Sequence, residues 1–221
     1  YHMGTHYNQT PDGWNGFIIL SDFYDLYDPT DDRIYHWEES TTENNGYNLG
    51  MLVGQQYGPG GPDSGEKLKD RLGNDLIFTK SISNLLTIGA ELEAGGIRMI
   101  KYQPDPGNDG KDGNDPAFFR YADAVLMKAE ALARDGDLSG AQTLVRTLAN
   151  ESDTTIASVD DILDVRGREL WLEGWRRNDL IRFGKFLEPN SLKAKTDEKA
   201  LLFPIPLQAL SNPNITQNPG Y

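Results

Sequence analysis

The chain has 221 residues, of which 38% are hydrophobic and 10% aromatic, as is typical of a folded globular protein rather than a disordered one. Its formal net charge of −13 opposes binding to the phosphate backbone of nucleic acids. The absence of Cys excludes disulfides, thiolate metal sites and a thiol nucleophile. No apolar run reaches the roughly 20 residues of a membrane-spanning helix.

The first half of the chain, residues 1–117, is acidic and rich in residues that favour loops. It carries 8 Lys or Arg against 19 Asp or Glu, together with many Gly, Asn, Pro and Tyr. Residues 76–80 and 97–103 are predicted as two short strands, the second because apolar and polar residues alternate from Ile97 to Lys101. Ala94-Gly95-Gly96 supplies a turn between them. We therefore expect a small β-hairpin beside long loops.

The second half, residues 118–221, has helical periodicity. Apolar residues from Phe118 to Ala133 form one stripe, and Gly136 stands where such a helix should end. Asp137 is a suitable N-cap for a second helix with its own apolar stripe. The short connection makes the two helices an antiparallel pair, which resembles one tetratricopeptide unit without a second copy in the chain.

A third helix is predicted to begin after Ser158, whose capping-box partner is Asp161, and to run to about Trp175. Residues 177–186 are predicted as a further short helix. The tail, residues 204–221, contains four prolines and is predicted to form an extended strap over the surface. The fold class is therefore mainly α, and we expect the two halves to form one structural unit.

Four stretches of the sequence carry a recognisable pattern. They are Tyr7–Phe17 with Asp22–Asp25, Arg120–Ala131, Arg166–Gly184, and Phe203–Pro206 with Asn212–Tyr221. In this order they resemble the SusD/RagB family of nutrient-binding proteins, and they span nearly the whole chain, which makes the resemblance specific. One departure is Val165, where the family pattern usually has Glu.

The resemblance implies a SusD-like helical body that captures nutrients on the bacterial outer membrane without chemistry. It implies a glycan ligand for many members and a peptide for some, and a TonB-dependent, SusC-like transporter as the partner. Family proteins are about twice this long, so the chain resembles their C-terminal portion. The N-terminal part that would carry the acylated Cys of a lipoprotein is absent from this chain, and the identity of the glycan is not implied.

Two carboxylates raise the question of catalysis. Glu169 and Glu173 are four residues apart and would share one face of the third helix. Arg166, Arg176 and Arg177 stand three or four residues from them and would keep them ionised, whereas a general acid needs a raised pKa. We therefore expect no enzymatic activity and a structural ion-pair network instead. Its predicted members are Arg120, Glu130, Arg168, Glu169, Glu173, Asp179 and Arg182.

Metal and cofactor sites have little support in the sequence. The acidic segment Asp105–Asp115 is similar to a calcium loop, but the EF-hand register places Gly107 at position 3 and Pro116 at position 12. A solvated surface loop is the preferred interpretation, with calcium as the alternative. The three histidines, His2, His6 and His36, do not have metal-ligand spacing, so no cofactor is expected.

Aromatic residues in polar loops are the candidate ligand contacts. Trp37, Tyr47 and Tyr57 lie among Gly and Asn residues outside the family motifs, and such loops offer rings for sugar faces and amides for hydroxyls. Trp14 lies within a motif and is interpreted as structural. Non-catalytic glycan capture is the predicted function. The alternatives are peptide binding, a helical interaction scaffold without a small ligand, and a secreted hydrolase.

Overall fold

Helices dominate the fold, and two small sheets accompany them. A computed structural model describes residues 3–10, 12–38, 47–58, 61–84, 91–102 and 116–221. In this part of the chain the helices are α1 (Ser21–Tyr24), α2 (Gly61–Ser64), α3 (Glu91–Ala94), α4 (Tyr121–Arg134), α5 (Leu138–Val145), α6 (Val159–Glu169) and α7 (Arg176–Arg182). The strands are β1 (Tyr35–Glu38), β2 (Tyr47–Leu52), β3 (Gly54–Gln55), β4 (Ile77–Phe78) and β5 (Arg98–Ile100).

The predicted antiparallel helix pair is confirmed as α4 and α5. Gly136 between them has φ +93°, a left-handed conformation that reverses the chain after α4. The Asp137 carboxylate caps α5 by accepting a hydrogen bond of 2.8 Å from the Gly140 N–H. Leu126 and Val145, both 0% exposed, belong to one core that α6 completes.

Helix α6 begins as predicted but ends six residues early. The Asp161 carboxylate accepts a hydrogen bond of 2.7 Å from the Ser158 N–H, which makes the capping box. The helix stops at Glu169 rather than at Trp175, because the turn that follows contains two left-handed residues, Leu172 at φ +61° and Gly174 at φ +84°. The prediction that Glu169 and Glu173 share one helix face is therefore wrong.

The hairpin lies elsewhere than the sequence indicated. Strands β1 and β2 form it, with Tyr35 opposite Gly50, and β5 adds a third antiparallel strand with Gly50 opposite Ile100. The two strands expected to face each other belong to different sheets, since β4 pairs with β3 instead. A short helix, α3, stands between them in the chain.

A second core joins the sheet to the end of α6. Met51 and Met99 from β2 and β5 pack in it with Trp171, which is 5% exposed. The Tyr27 hydroxyl adds a hydrogen bond of 2.9 Å to the carbonyl oxygen of Arg168. The loop-rich half and the helical half are therefore packed against each other at this point.

The tail folds back on itself instead of forming an extended strap. The Gln217 side chain bonds both backbone groups of Ile205, accepting from its N–H at 2.8 Å and donating to its carbonyl at 3.1 Å. The Tyr221 hydroxyl donates to the carbonyl oxygen of Leu202 at 3.0 Å. No helix in the described residues is long and apolar enough to cross a membrane.

Truncating the buried face of α4 should destabilise the protein, whereas truncating its exposed face should not. We expect Leu126→Ala to lower the free energy of unfolding by about 2–5 kcal/mol, because it removes buried methyl groups and leaves a cavity. Met127→Ala is the matched control, since Met127 follows in the same helix and is 51% exposed. Urea unfolding measures both, and equal midpoints would contradict the assigned core.

Candidate functional site

The turn after α6 carries a buried glutamate that is held by two cations. The side chain of Glu173, which is 3% exposed, accepts hydrogen bonds from Arg120 Nε at 2.7 Å and Nη2 at 2.9 Å. Lys101 Nζ lies 2.6 Å from Glu173 Oε1. Lys101 Nζ also donates to the carbonyl oxygens of Glu169 and Trp171. The end of β5, the start of α4 and the α6 turn thus meet on this carboxylate.

Arg120 extends the same network to Glu169. Its Nη1 donates to Glu169 Oε1 at 2.6 Å, and Arg33 Nη1 donates to Oε2 at 3.1 Å. Arg33 also donates to Glu151 at 2.7 Å, and Arg168 holds Glu151 with hydrogen bonds of 3.0 and 2.7 Å. We call this connected set the Glu173 network; it comprises Arg33, Lys101, Arg120, Glu151, Arg168, Glu169 and Glu173.

A separate group of ion pairs holds α4, α6 and α7 together. Arg166, 3% exposed, donates to Asp123 at 2.9 Å and to Asp179 at 3.0 Å. Arg182 donates to Asp179 at 2.9 Å and to Glu130 at 2.6 Å. The Arg182–Asp179 pair lies within α7, whereas the other contacts join different helices and so fix how these helices pack.

The seven residues that the sequence predicted as one network all form ion pairs. The pairs belong to the two separate groups described above, not to a single network. Sequence reasoning missed Arg33, Lys101 and Glu151, because each is far along the chain from its partners and carries no local spacing signal. Two of the arginines that were expected to pair with Glu169 and Glu173 have other partners. Arg166 pairs with the aspartates above, and Arg177 stacks on the Phe203 ring at 5.0 Å.

Burial and hydrogen bonding act in opposite directions on Glu173. Burial acts to raise its pKa, but the hydrogen bonds from Arg120 and Lys101 outweigh burial and hold the pKa below the usual range. Burial lowers the pKa of Lys101 in spite of its pairing with Glu173. Near neutral pH the glutamate is therefore a carboxylate held by two partners, which is unsuitable for donating a proton.

An open cleft of about 550 Å³ lies directly over this network. Its floor contains Lys101 and Glu173, and Asn178 from α7 adds an amide. Its rim contains aromatic rings. The residues that matter for its chemistry are Lys101, Tyr102, Phe118, Glu173, Trp175 and Asn178.

The aromatic rim is braced by ring contacts. The Phe119 ring lies 4.9 Å from Phe118 and 5.8 Å from Trp175, centroid to centroid, and Phe118 remains 79% exposed. On the other side Tyr102 is 44% exposed, and burial of its hydroxyl next to Glu173 raises its pKa to about 12. The cleft thus presents neutral ring faces beside paired charges and an amide.

Comparison with known proteins places the chain in a family. Residues 1–194 match the sequence profile of the SusD family. This chain belongs to the SusD family. It is 32% identical to the starch-binding protein SusD of Bacteroides thetaiotaomicron over 145 residues, which cover 57% of this chain and 26% of that protein. It is also 32% identical to a SusD-like protein of Formosa agariphila over 142 residues, 57% of this chain and 28% of that protein.

The family match covers most of the site but not the tail. In this SusD family chain, the α4 start, the α6 end and the turn bearing Glu173 all lie inside the matched residues. Residues 195–221 lie beyond them. The chain spans about a quarter of the length of each of these two relatives.

Of the three aromatic residues proposed from sequence, Tyr57 is the one whose side chain the structure describes, and it is not part of the cleft lining. Trp37 lies on β1 and Tyr47 on β2, where their backbones pair with Asn48 and Glu38; their side chains are outside the described residues. Tyr57 is half-buried and its backbone bridges to Lys67. Their role in binding stays a prediction.

The sequence offered a calcium loop as an alternative and three histidines without metal-ligand spacing. The proposed calcium loop, residues 105–115, lies outside the described residues. Among the residues that are described, no group of three or more His, Asp or Glu could hold a metal. His6 is buried, with Nε2 3.0 Å from Glu93, while Nδ1 accepts a hydrogen bond from the Asn8 N–H, so it packs within the loops.

Glu173→Gln should make stability less dependent on pH. Because the pKa of Glu173 in the folded protein lies below its ordinary value of 4.5, its stabilising effect is present above about pH 4.5 and is lost as the pH falls through the folded pKa. We expect the variant to lose about 3 kcal/mol at pH 7, and the difference from wild type to shrink in acid. Urea midpoints from pH 7 to pH 3 measure this.

Glu66→Gln is the control for this series, since Glu66 is exposed and outside the Glu173 network. It should follow the wild type at every pH. A Glu173→Gln protein as stable as wild type at pH 7 would contradict the buried ion pair.

Proposed function

We propose that this protein captures a neutral glycan without chemically changing it, and that the cleft over the Glu173 network is a contact site for the glycan. The observation that carries this is an open cleft of about 550 Å³ with aromatic rings at its rim and paired charges at its floor. A glycan as the ligand is supported by the similarity to a relative that is named a starch-binding protein.

The lining suits a sugar better than a charged ligand. Sugar rings present C–H faces that pack on exposed aromatic rings, here Phe118 and Tyr102, and their hydroxyls pair with an amide such as Asn178. Glu173 and Lys101 already bond each other, so neither offers an uncompensated charge to an ionic ligand. A neutral oligosaccharide therefore fits with the least loss of existing contacts.

Proton-transfer chemistry is disfavoured in the cleft. Glycoside hydrolysis uses two carboxyl groups, one of which must hold its proton until it protonates the leaving group. The hydrogen bonds of Glu173 stabilise the opposite, ionised state. Asp164 would be a better general acid, because burial raises its pKa. It lines a neighbouring cleft of about 620 Å³. That side chain is still 45% exposed and Arg176 lies 3.8 Å away, which limits the shift.

Membership of the SusD family supports a proposal about the cellular setting of this protein. We propose that the protein works on the outer surface of the bacterial outer membrane, held there by a lipid anchor. We further propose that it delivers the glycan to a SusC-like, TonB-dependent transporter. Co-purification from detergent-solubilised outer membranes tests the partnership, and recovery of the tagged natural protein without any such transporter would count against it.

A peptide ligand and a scaffold without a ligand are the competing proposals. A peptide would bind through its backbone amides and charged side chains, so its affinity should depend on salt and on peptide charge. A scaffold would bind neither peptide nor glycan. Calorimetry with soluble starch, maltoheptaose and mixed-sequence peptides separates the three.

Removing a rim ring should weaken glycan binding and leave stability unchanged. We expect Phe118→Ala to reduce the affinity for maltoheptaose about fivefold, because one exposed aromatic contact contributes on the order of 1 kcal/mol. The melting temperature should stay within error, since Phe118 is 79% exposed. Calorimetry and thermal unfolding on the same samples measure both.

Leu207→Ala is the matched control, because Leu207 is 82% exposed but lies in the tail rather than at the cleft. It should bind as the wild type does. Release of reducing sugar from starch by the wild type, lost in Asp164→Asn, would contradict the non-catalytic proposal.

The loop aromatics supply an independent prediction. Trp37→Ala and Tyr47→Ala should each weaken maltoheptaose binding several-fold without lowering the melting temperature, because a loop ring contributes contact area rather than core packing. Tyr57→Ala is the third variant of the series. If all three variants bind with wild-type affinity, none of these three rings contacts the glycan.

A further inference from the structure

Every polar group of His6 forms a hydrogen bond inside the fold, and the residue is 0% exposed. Its backbone N–H donates to Gln9 Oε1 at 2.8 Å, and its carbonyl oxygen accepts from the N–H groups of Gln9 and Gly13 at 3.1 and 3.3 Å. On the imidazole ring, Nδ1 lies 3.0 Å from the backbone nitrogen of Asn8, and Nε2 lies 3.0 Å from Glu93 Oε1. The folded chain therefore uses each donor and acceptor that this histidine has.

The two ring contacts specify where the imidazole proton is. The backbone N–H of Asn8 can only donate, so Nδ1 must be the unprotonated nitrogen that accepts. An ionised Glu93 carboxylate can only accept, so Nε2 must carry the proton. The geometry thus selects one neutral form of His6. A proton added to Nδ1 would face the Asn8 N–H, and that hydrogen bond would be lost.

The charged groups around His6 also oppose a positive ring. Glu93 on α3 is the carboxylate that faces it, and Arg71 in the turn at residues 70–74 already donates to the same oxygen through its backbone N–H at 2.9 Å and its Nε at 3.0 Å. Arg98, which is 1% exposed at the start of β5, adds a second guanidinium. The remaining titratable neighbour is Tyr7, whose ring centroid lies 5.2 Å from that of His6. Protonation would therefore place a third cation beside one shared carboxylate.

The balance of these effects separates the titration of the two partners. Burial lowers the pKa of His6 most, the hydrogen bond and charge of Glu93 raise it, and Arg98 and Arg71 lower it, which leaves the pKa below its usual value of 6.5. Burial acts to raise the pKa of Glu93, but the hydrogen bonds from Arg71 and His6 hold it below 4.5. Between pH 6.5 and 4.5, His6 is therefore the member of the pair that can take up a proton.

Polar contacts attach the chain around His6 to the rest of the protein. We call residues 3–10 and 12–17 the His6 segment. The Asn8 side chain donates to the carbonyl oxygen of Lys69 at 2.7 Å, and the Gln9 side chain donates to Gln56 Oε1 at 3.2 Å. The core of α4, α5 and α6 is built from residues 122–170 together with Trp175. The His6 segment can therefore detach while that core stays packed.

We propose that His6 is an acid-sensitive latch: the neutral ring closes the His6 segment onto α3 and the turn at residues 70–74, and protonation of Nδ1 opens it. This inference does not rest on the proposed function, since His6 and its partners lie outside the lining of the cleft. The device needs no ligand, because the proton itself favours the open state.

The direction of the pH effect follows from the open state. In the open segment His6 is hydrated, so its pKa returns to about 6.5. Above that pH neither state binds the proton, and the latch has its full stability. Below it the open state takes up a proton that the closed state rejects. The equilibrium constant for opening should therefore rise by up to about tenfold per pH unit, until the pH reaches the lower pKa of the closed state.

Nitrogen-15 NMR of the histidine rings tests the protonation state in the wild-type protein. We expect His6 to show a protonated Nε2 and an unprotonated Nδ1 at pH 7, and to remain neutral at pH 5.5, where an unperturbed histidine is about nine-tenths protonated. Sequential backbone assignment identifies the ring. A proton on Nδ1 at pH 7, or titration of His6 at pH 6.5 or above, overturns the proposal.

Hydrogen exchange tests the opening itself. The amides of Asn8, Gln9 and Gly13, which donate to His6, should lose up to about tenfold in protection factor between pH 6.5 and 5.5, after correction for the intrinsic rate. In His6→Gln, which keeps an amide N–H for Glu93 but cannot titrate, their protection should not change with pH. His6→Asn is the complementary variant, because it keeps an acceptor for the Asn8 N–H and serves if His6→Gln does not fold.

The amide of Leu126 in α4 reports on the core in the same experiment. It should stay more protected than the amides of the His6 segment at both pH values. Protection of the segment that does not depend on pH in the wild type, or that falls as steeply in a folded His6 variant, overturns the latch. So does equal protection of Leu126 and the segment, because His6 would then respond to unfolding of the whole protein rather than to release of the segment.

Discussion

The guanidinium of Arg120 joins three parts of the chain that are otherwise distant. It bonds both Glu169 at the end of α6 and Glu173 in the following turn, while Lys101 from the end of β5 shares the second carboxylate. Removing water from these groups is costly, so each charge must have its partner in place before the region can be buried. The packing of the sheet against the helices, and the floor of the cleft, depend on this arrangement.

The same interaction determines what the cleft can do. Since Glu173 is ionised and doubly held, the floor is electrically balanced and chemically quiet, and the groups that remain for recognition are the rings of the rim and one amide. Such groups offer contact area and partners for hydroxyls, and the proposed capture of a glycan rests on them.

Buried arginines recur as organisers of this fold. Arg166 fixes the packing of three helices through two aspartates, and Arg98 fixes α3 and the turn after it through backbone carbonyls, and Asn15 through its side chain. A planar fork with five donors can satisfy several acceptors in one rigid geometry. In both places the guanidinium holds several segments of the chain in one arrangement.

The sequence by itself determined the local elements of the helical half. Periodicity, Gly136, Asp137 and the Ser158 capping box predicted α4, α5 and the start of α6, because these signals lie within a few residues of their effects. Tertiary structure alone decided the β1–β2 hairpin, the burial of Arg98 and the partners of Glu173. Arg33 and Lys101 reach their glutamates across 136 and 72 residues, and no local pattern encodes a contact of that separation.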